Sequence, residues 1–435
     1  MNPSFNKETS RREFIKTSAI IGGALAAPAI LPGKLFAAEN SDTLRIGLIG
    51  CGNRGTGAAE QALKADKNVV ITAMGDVFSD RLEQSLQSLT KAVPGKVKVD
   101  AEHRFIGFDA YQKVIDSGVD VVLLATPPGF RPAQLKAAVA AGKHIFTEKP
   151  MAVDAPGVRS VLESVAEAKK KNLALVAGFC WRYSYGERAA YQQIHEGGIG
   201  DVTTLYGTFN VSMNSRWDKW TRANSKSDME CMMRRWYFYP GLSGDHLVEQ
   251  AVHTVDKMLW AMKDVPPVKA LGFGGRQVRT GAEYGVIFDH FSIVYDFANS
   301  AKGFIYCRQQ DNCSGGVSDT IYGTKGICEI LGGRKLQQIK GEKPWKYKGP
   351  HPDMYQVEHN ELFASIRSGK PINDGVRMAN STLTAIMGRM AAYTGQSITW
   401  DEAMNSQEKL LPDVVDWDHV PPVPQVAMPG RTKFI

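Results

Sequence analysis

Three glycines in one short turn, Gly50, Gly52 and Gly55, carry the first chemical signal of the chain. They follow an apolar run, Leu44–Gly50, that reads as a buried strand. They precede a small-residue stretch, Thr56–Lys64, that reads as a helix. In that setting Gly50 permits the tight turn, Gly52 lets the backbone approach a pyrophosphate, and Gly55 lets helix and strand pack closely. Asn53 and Arg54 complete the turn, and the free amides of the helix N-terminus face the phosphates. Asp76 ends the next apolar run, 21 residues beyond Gly55. A carboxylate there accepts hydrogen bonds from the adenosine ribose, which favours NAD because a 2′-phosphate would meet negative charge. Arg81 nearby keeps NADP open, and capping the following helix is the alternative role for Asp76.

A second group could perform hydride transfer from a secondary alcohol, which needs a base for the hydroxyl proton and a cation beside the developing alkoxide. Lys149 stands just after the strand His144–Thr147, at the carboxyl edge of the sheet, where doubly wound folds bind ligands. Residues Leu247–Trp260 read as one helix. On it Glu249 and His253 are four apart and share a face, with His246 and Asp256 close to the same stripe. His253 is the candidate base, Glu249 orients it or binds a second hydroxyl, and Lys149 stabilises the alkoxide. The competing readings are an exposed lysine, a core histidine, and a metal site built from His246, Glu249 and His253. Aromatic and arginine side chains follow the last strand of the first domain: Trp181, Arg182 and Tyr183. More lie at Trp217, Trp220, Arg234-Arg235-Trp236-Tyr237 and Tyr239. Such rings stack on sugars while arginine binds hydroxyls or carboxylates; packing is the alternative for about half of them. Asp289-His290 could reach the site or serve a turn.

The elements that must position these groups alternate strand and helix from Leu44 to Gly178. This predicts an α/β doubly wound parallel sheet over residues 41–180. From 181 to 410 consecutive strand-like runs predict an α+β domain with a largely antiparallel sheet. The segment Asn214–Pro240 is long, aromatic and basic, as expected of a functional cover. Residues 411–435 are Pro-rich and read as an extended tail. With 435 residues, 43% hydrophobic and 22% charged, the chain is long enough for two domains and too apolar for general disorder. The net charge of +7 includes five basic and three acidic residues in the first 40, so the remainder is only mildly basic. No dense Lys/Arg run marks nucleic-acid binding.

Residues 1–40 read as a signal and linker. Ser10-Arg11-Arg12-Glu13-Phe14-Ile15-Lys16 and the apolar stretch Ala19–Leu31 resemble a twin-arginine export signal, with Ala37-Ala38 a cleavage candidate and a retained anchor the alternative. The expected location is therefore periplasmic. None of the six cysteines forms a Cys-x-x-Cys pair, which argues against structural zinc.

The glycine turn, Asp76, Ala125-Thr126-Pro127-Pro128 and Gly142-Lys143-His144-Ile145-Phe146-Thr147-Glu148-Lys149-Pro150 occur in this order, and together they resemble the Gfo/Idh/MocA oxidoreductase family over residues 43–400. The resemblance implies a Rossmann domain joined to a domain whose open sheet often forms the oligomer interface, so a dimer or tetramer is expected. It implies NAD or NADP chemistry on a sugar, inositol or related polyol, with Lys149 at the nicotinamide end. Thr126, Pro127 and Pro128 would flank the cofactor crevice beside Glu148. Arg131 stands where many members have a histidine. The family's Asp-x-Gly-x-His segment is matched by Glu249-Gln250-Ala251-Val252-His253, with Glu for Asp and Ala for Gly. His246 joins Trp181, Arg182 and Tyr183 as the expected substrate contacts.

Three functions compete. The first is an exported dehydrogenase acting on a sugar, glycoside or polyol. The second is a redox-neutral glycosidase or epimerase that oxidises its substrate transiently and retains NAD(H). The third is a non-enzymatic sugar-binding protein. Export favours a cofactor loaded before translocation and held tightly, because free NAD is scarce outside the cytoplasm.

Overall fold

The computed structural model describes residues 42–213, 219–332 and 335–435. The twin-arginine segment and Trp217 lie outside them. Six parallel strands form the first sheet: β1 (Leu44–Ile49), β2 (Val69–Asp76), β3 (Arg104–Ile106), β4 (Val121–Leu124), β5 (His144–Thr147) and β6 (Leu175–Ala177), in the order β3-β2-β1-β4-β5-β6. The strand order reverses between β1 and β4. Their carboxyl ends therefore open a crevice at the topological switch point, the place where such sheets bind ligands. Helices cover both faces, which is why every residue of β4 is buried and the strand reads as a continuous apolar run.

The second sheet has nine strands: β7 (Val202–Val211), β8 (Lys269–Gly275), β9 (His290–Asp296), β10 (Lys302–Gln309), β11 (Gly316–Gly323), β12 (Gly326–Leu331), β13 (Leu336–Gly341), β14 (Trp345–Lys346) and β15 (Ile398–Thr399). Their order is β14-β13-β12-β11-β7-β10-β9-β8-β15. Every pairing is antiparallel except β7 with β10. Alternation sets its two faces. Leu205, Ile293, Ile305 and Ile321 point into the core, while Tyr206, Leu271, Phe273 and Tyr322 are exposed on the other side.

Two long helices near the C-terminus, Met354–Arg367 and Gly375–Thr394, were not legible in the sequence pattern. Sixteen of the twenty residues in the second are buried, so it has no polar face to produce a helical period. The first packs on the helix Asn53–Ala65 behind the glycine turn. There Gln356 donates to the Gln61 carbonyl at 2.9 Å, and Arg367 forks onto Asp66 at 2.9 and 3.2 Å. Between the two helices the backbone pairs with the edge of the first sheet, through Leu175 N to Ile372 O and Asp374 N to Leu175 O. Residues 354–374 thus pack with the first sheet, although they lie far beyond residue 180 in the chain. Residues 406–435 contain no helix or strand, yet Trp417 meets Phe108 and Phe78 edge-on, with ring centroids 5.2 and 6.0 Å apart.

Candidate active site

The glycine turn has the backbone its residues predict. Gly50 has φ of 93°, a left-handed conformation open to glycine, and a Cβ there would meet the Ala125–Thr126 backbone within 2.8 Å. A Cβ on Gly55 would meet the Gly50 carbonyl oxygen at 1.9 Å, so only hydrogen allows the helix to start so close to β1. A Cβ on Gly52 would meet no protein atom within 4 Å. Gly52 therefore leaves an open shelf at a helix N-terminus, which is the space a pyrophosphate needs.

A cavity of ≈ 300 Å³ runs along this shelf, lined by Ile49–Gly55, Asp76, Arg81, Thr126, Pro127 and Gln134 among others. Asp76 is held at its end by bonds accepted from Cys51 N at 2.7 Å and Phe78 N at 2.9 Å. One oxygen takes each bond, and a carboxylate oxygen has a further lone pair for a ribose hydroxyl. Burial pushes the Asp76 pKa up, against the pull of Arg81.

Three residues expected at the cofactor support the cleft from behind. Arg131 is buried and donates to the Thr126 and Pro150 carbonyls, both at 2.5 Å. It ties the loop after β4 to the turn after β5 and has no free face toward a ligand. Burial pulls its pKa down to about 10. Pro128 is buried and begins a short 3-10 turn. Glu148 is buried against Arg54, Nε to Oε1 2.7 Å. Arg54 also stacks over Tyr355, 4.8 Å from its ring centroid, and donates to Gln61 at 2.6 Å. A Cβ at Gly178 would meet the Glu148 carboxylate at 2.7 Å, so that glycine makes room for the pair.

The expected single helix over Leu247–Trp260 is broken. His246–Glu249 and Val252–Ala261 are separate helices joined through Gln250 and Ala251. Asp245 sets the first one. It is fully buried with φ of 73°, and its carboxylate accepts from His246 N and Tyr393 Oη, both at 2.5 Å, and from Phe288 N at 2.8 Å. The break matters chemically. His253 N donates to the Gln250 carbonyl at 3.2 Å, whereas a continuous helix would have used the Glu249 carbonyl. That freed carbonyl accepts from Lys149 Nζ, and the Glu249 carboxylate lies 3.3 Å from the same nitrogen. Lys149 and Glu249 are mostly buried, their side chains 13% and 15% exposed. They lie outside the lining of the cavity.

His253 follows on the second helix. Its ring meets Phe179 edge-on at 6.1 Å, and its Nδ1 is buried without a partner. Burial, then the nearby Lys149 and Lys257 ammonium groups, hold its pKa well below the usual value. The imidazole is therefore held in its neutral form. His246 is fully buried and pushed down to about 3 by burial and Arg279. Its Nδ1 is 3.4 Å from Tyr237 Oη, which accepts from Gln309 at 2.7 Å; Gln309 also donates to Gln250 at 2.7 Å. This buried network fixes the segment that presents Glu249. Among the described residues no group of three or more His, Cys, Asp or Glu converges as metal ligands.

Arg182 and Tyr183 are built into the scaffold. Arg182 is forked on Asp256 at 2.8 and 2.9 Å and bonds Asp264 at 2.6 Å, while Tyr183 Oη donates to Asp374 at 2.9 Å. Both are buried, and their polar groups are spent on these partners. Trp181 is half-buried under Lys257 Nζ, 4.9 Å from its ring. Asp289 is buried in a turn, accepting from Gln277 N, Val278 N and Arg279 N. Of the aromatic and arginine set, Trp220, Arg234 and Trp236 line the dinucleotide cavity. Sequence reasoning did not single out Asp245, Gln250 or Gln309; the Gly244-Asp245 pair just before His246 is the signal that could have found the first.

Residues 44–179 match the model of the oxidoreductase family's NAD-binding Rossmann fold, GFO_IDH_MocA, and residues 188–329 match the GFO/IDH/MocA C-terminal domain. Curated relatives include inositol 2-dehydrogenase of Serratia proteamaculans, 32% identical over 164 residues, 38% of this chain and 45% of that protein. A glycosyl hydrolase family 109 protein of Streptomyces coelicolor is 28% identical over 203 residues, 45% of this chain and 41% of that protein. The chain thus spans less than half the length of either relative. In fold it is similar to an aldose-aldose oxidoreductase from Caulobacter crescentus, with TM-score 0.65 and 18% identity, covering 82% of this chain and 99% of that one. A levoglucosan dehydrogenase in complex with NADH and levoglucosan gives TM-score 0.65 at 19% identity, with the same coverage.

Proposed function

The chain belongs to the Gfo/Idh/MocA oxidoreductase family, and from that premise we propose that it oxidises a secondary hydroxyl of a sugar, glycoside or polyol. The observation that carries this reading is the convergence of Lys149 Nζ on Glu249 beside a neutral His253. Bound NAD supplies the hydride acceptor. Lys149 holds the substrate oxygen as negative charge develops on it. With Nδ1 of His253 buried, Nε2 is the nitrogen that takes the hydroxyl proton. Glu249 positions the ammonium and offers its carboxylate to a neighbouring hydroxyl. The test is NADH absorbance after mixing the protein and NAD with a panel of inositols, aldoses and glycosides. A hit that disappears in Lys149→Met supports the reading; no hit with any member, although the protein binds NAD, counts against it.

The relatives named glycosyl hydrolase family 109 favour a second reading, redox-neutral turnover in which the hydride returns to the sugar. Release of aglycone from an aryl glycoside without net NADH would select it. Export to the periplasm is supported by Ser10–Lys16 and the apolar run after it, and it agrees with a retained cofactor. Assembly into a homo-oligomer is supported by the exposed apolar face of the second sheet, where Phe273 is 65% exposed.

A further inference from the structure

One wall of the dinucleotide cavity comes from beyond the nucleotide-binding sheet. Trp220, Met233, Arg234 and Trp236 line it together with Asp80 and Arg81. Arg234 is the last residue of the helix Asp228–Arg234. Its guanidinium forks onto Asp80, with both bonds at 2.8 Å. It also lies between two rings, 3.6 Å from the centroid of Phe78 and 4.1 Å from that of Trp220. Phe78 and Asp80 follow β2 directly after Asp76, the ribose-end carboxylate. Met229, Met232, Met233 and Leu242 pack with Phe78, and partly buried Leu411 and Val415 of the C-terminal segment join the same cluster. Three distant stretches of chain therefore meet at this end of the cleft.

We propose that Arg234, stacked between Phe78 and Trp220 and forked on Asp80, is a latch over the adenosine end of the cleft, and that the dinucleotide leaves only when the latch opens. The inference rests on the reading that this cleft holds NAD. A planar guanidinium suits the place, because it can stack on two rings and fork onto a carboxylate at once. The Arg234 side chain is only 7% exposed while Asp80 is 57% exposed. The ion pair is thus screened on one side and worth little alone, and the stacking fixes its geometry. A gate of this strength still opens, so it slows exchange without stopping it, which suits a cofactor carried with the protein rather than traded each turnover.

The experiment uses the full chain loaded with NADH and follows fluorescence as the bound NADH is chased with excess NAD. Asp80→Asn removes the charge at an exposed position, and Trp220→Leu removes the outer ring while leaving the ion pair. Release should quicken about five- to tenfold in each variant, in line with the small energy of a half-exposed pair or stack. Raising sodium chloride from 0.05 to 1 M, a cut of about 4.5-fold in screening length, should speed release from the wild type more than from Asp80→Asn. Wild-type release rates in both folded variants, as judged by unaltered thermal melts, overturn the latch alone. A wild-type protein that binds no dinucleotide at all overturns the NAD reading and the latch with it.

Discussion

A methyl group added to either of two glycines three residues apart should break two different things. At Gly55 the new Cβ falls 1.9 Å from the Gly50 carbonyl oxygen. That is more than 1 Å inside any normal contact, and the oxygen belongs to the turn itself. Gly55→Ala therefore forces the helix away from β1, at a cost of about 3 kcal/mol, the upper end for overpacking a rigid site. At Gly52 the new Cβ meets nothing within 4 Å and the backbone, at φ −72°, suits alanine. Gly52→Ala loses some favour at the helix N-cap and gains some from a stiffer unfolded chain, so stability changes by no more than about 1 kcal/mol. Its methyl group occupies the shelf where a pyrophosphate would lie, and NADH affinity should fall about 100-fold, equivalent to about 2.7 kcal/mol. Thermal melts without cofactor, together with NADH fluorescence titrations, separate the two effects. A Gly52→Ala protein that binds NADH like the wild type, or a Gly55→Ala protein with wild-type stability, would refute the reasoning.

Lys149→Met should lower kcat about 10²–10³-fold, the usual effect of losing one charge-stabilising donor, while NADH binding measured by fluorescence changes little. Because burial and two lysines hold the His253 pKa well below its usual value, the base stays unprotonated through mild acid. The kcat/KM profile should be flat from pH 8 to about pH 6.5 and fall only below that; an acid limb centred at or above pH 6.5 would show a different base. Glu187 is fully buried near the Lys257–Asp319 ion pair, and burial pushes its pKa up to about 8. A raised carboxyl pKa contributes stability that is fully present below 4.5 and is lost as pH rises toward 8. Glu187→Gln should remove that loss and stabilise the protein by about 2–3 kcal/mol at pH 7 relative to wild type, measured by denaturant melts at pH 5 and pH 7.

The nucleotide-binding half was legible because its signals are local. Every strand there except the short edge strand Arg104–Ile106, which has no buried residue, is an apolar run, and the glycine turn needs only neighbouring residues to declare its purpose. Lys149 was placed for the same reason, at a strand end beside a recognisable motif. What the sequence did not reveal depends on distant partners. Arg182 looks like a pocket residue until Asp256 and Asp264 are found around it. The break between Glu249 and His253 is imposed by Asp245, whose own partners are the Phe288 amide and the Tyr393 hydroxyl. The helix Gly375–Thr394 lacks a polar face because strand β8 and the helices Ala155–Lys170, His246–Glu249 and Val252–Ala261 bury it nearly all round. Trp220 and Arg234 are residue types that bind sugars, and only the folding of their segment back onto Phe78 and Asp80 places them on the dinucleotide cleft.

The central claim is that hydride moves from a carbohydrate carbon to NAD beside Lys149 and His253. Its most direct test is to load the protein with NAD, incubate it with ring-deuterated inositols, aldoses and aryl glycosides, and weigh the bound dinucleotide by mass spectrometry. The account predicts one deuterium on the cofactor with at least one substrate, and none in Lys149→Met. Bound but unlabelled NAD across the whole panel would contradict it.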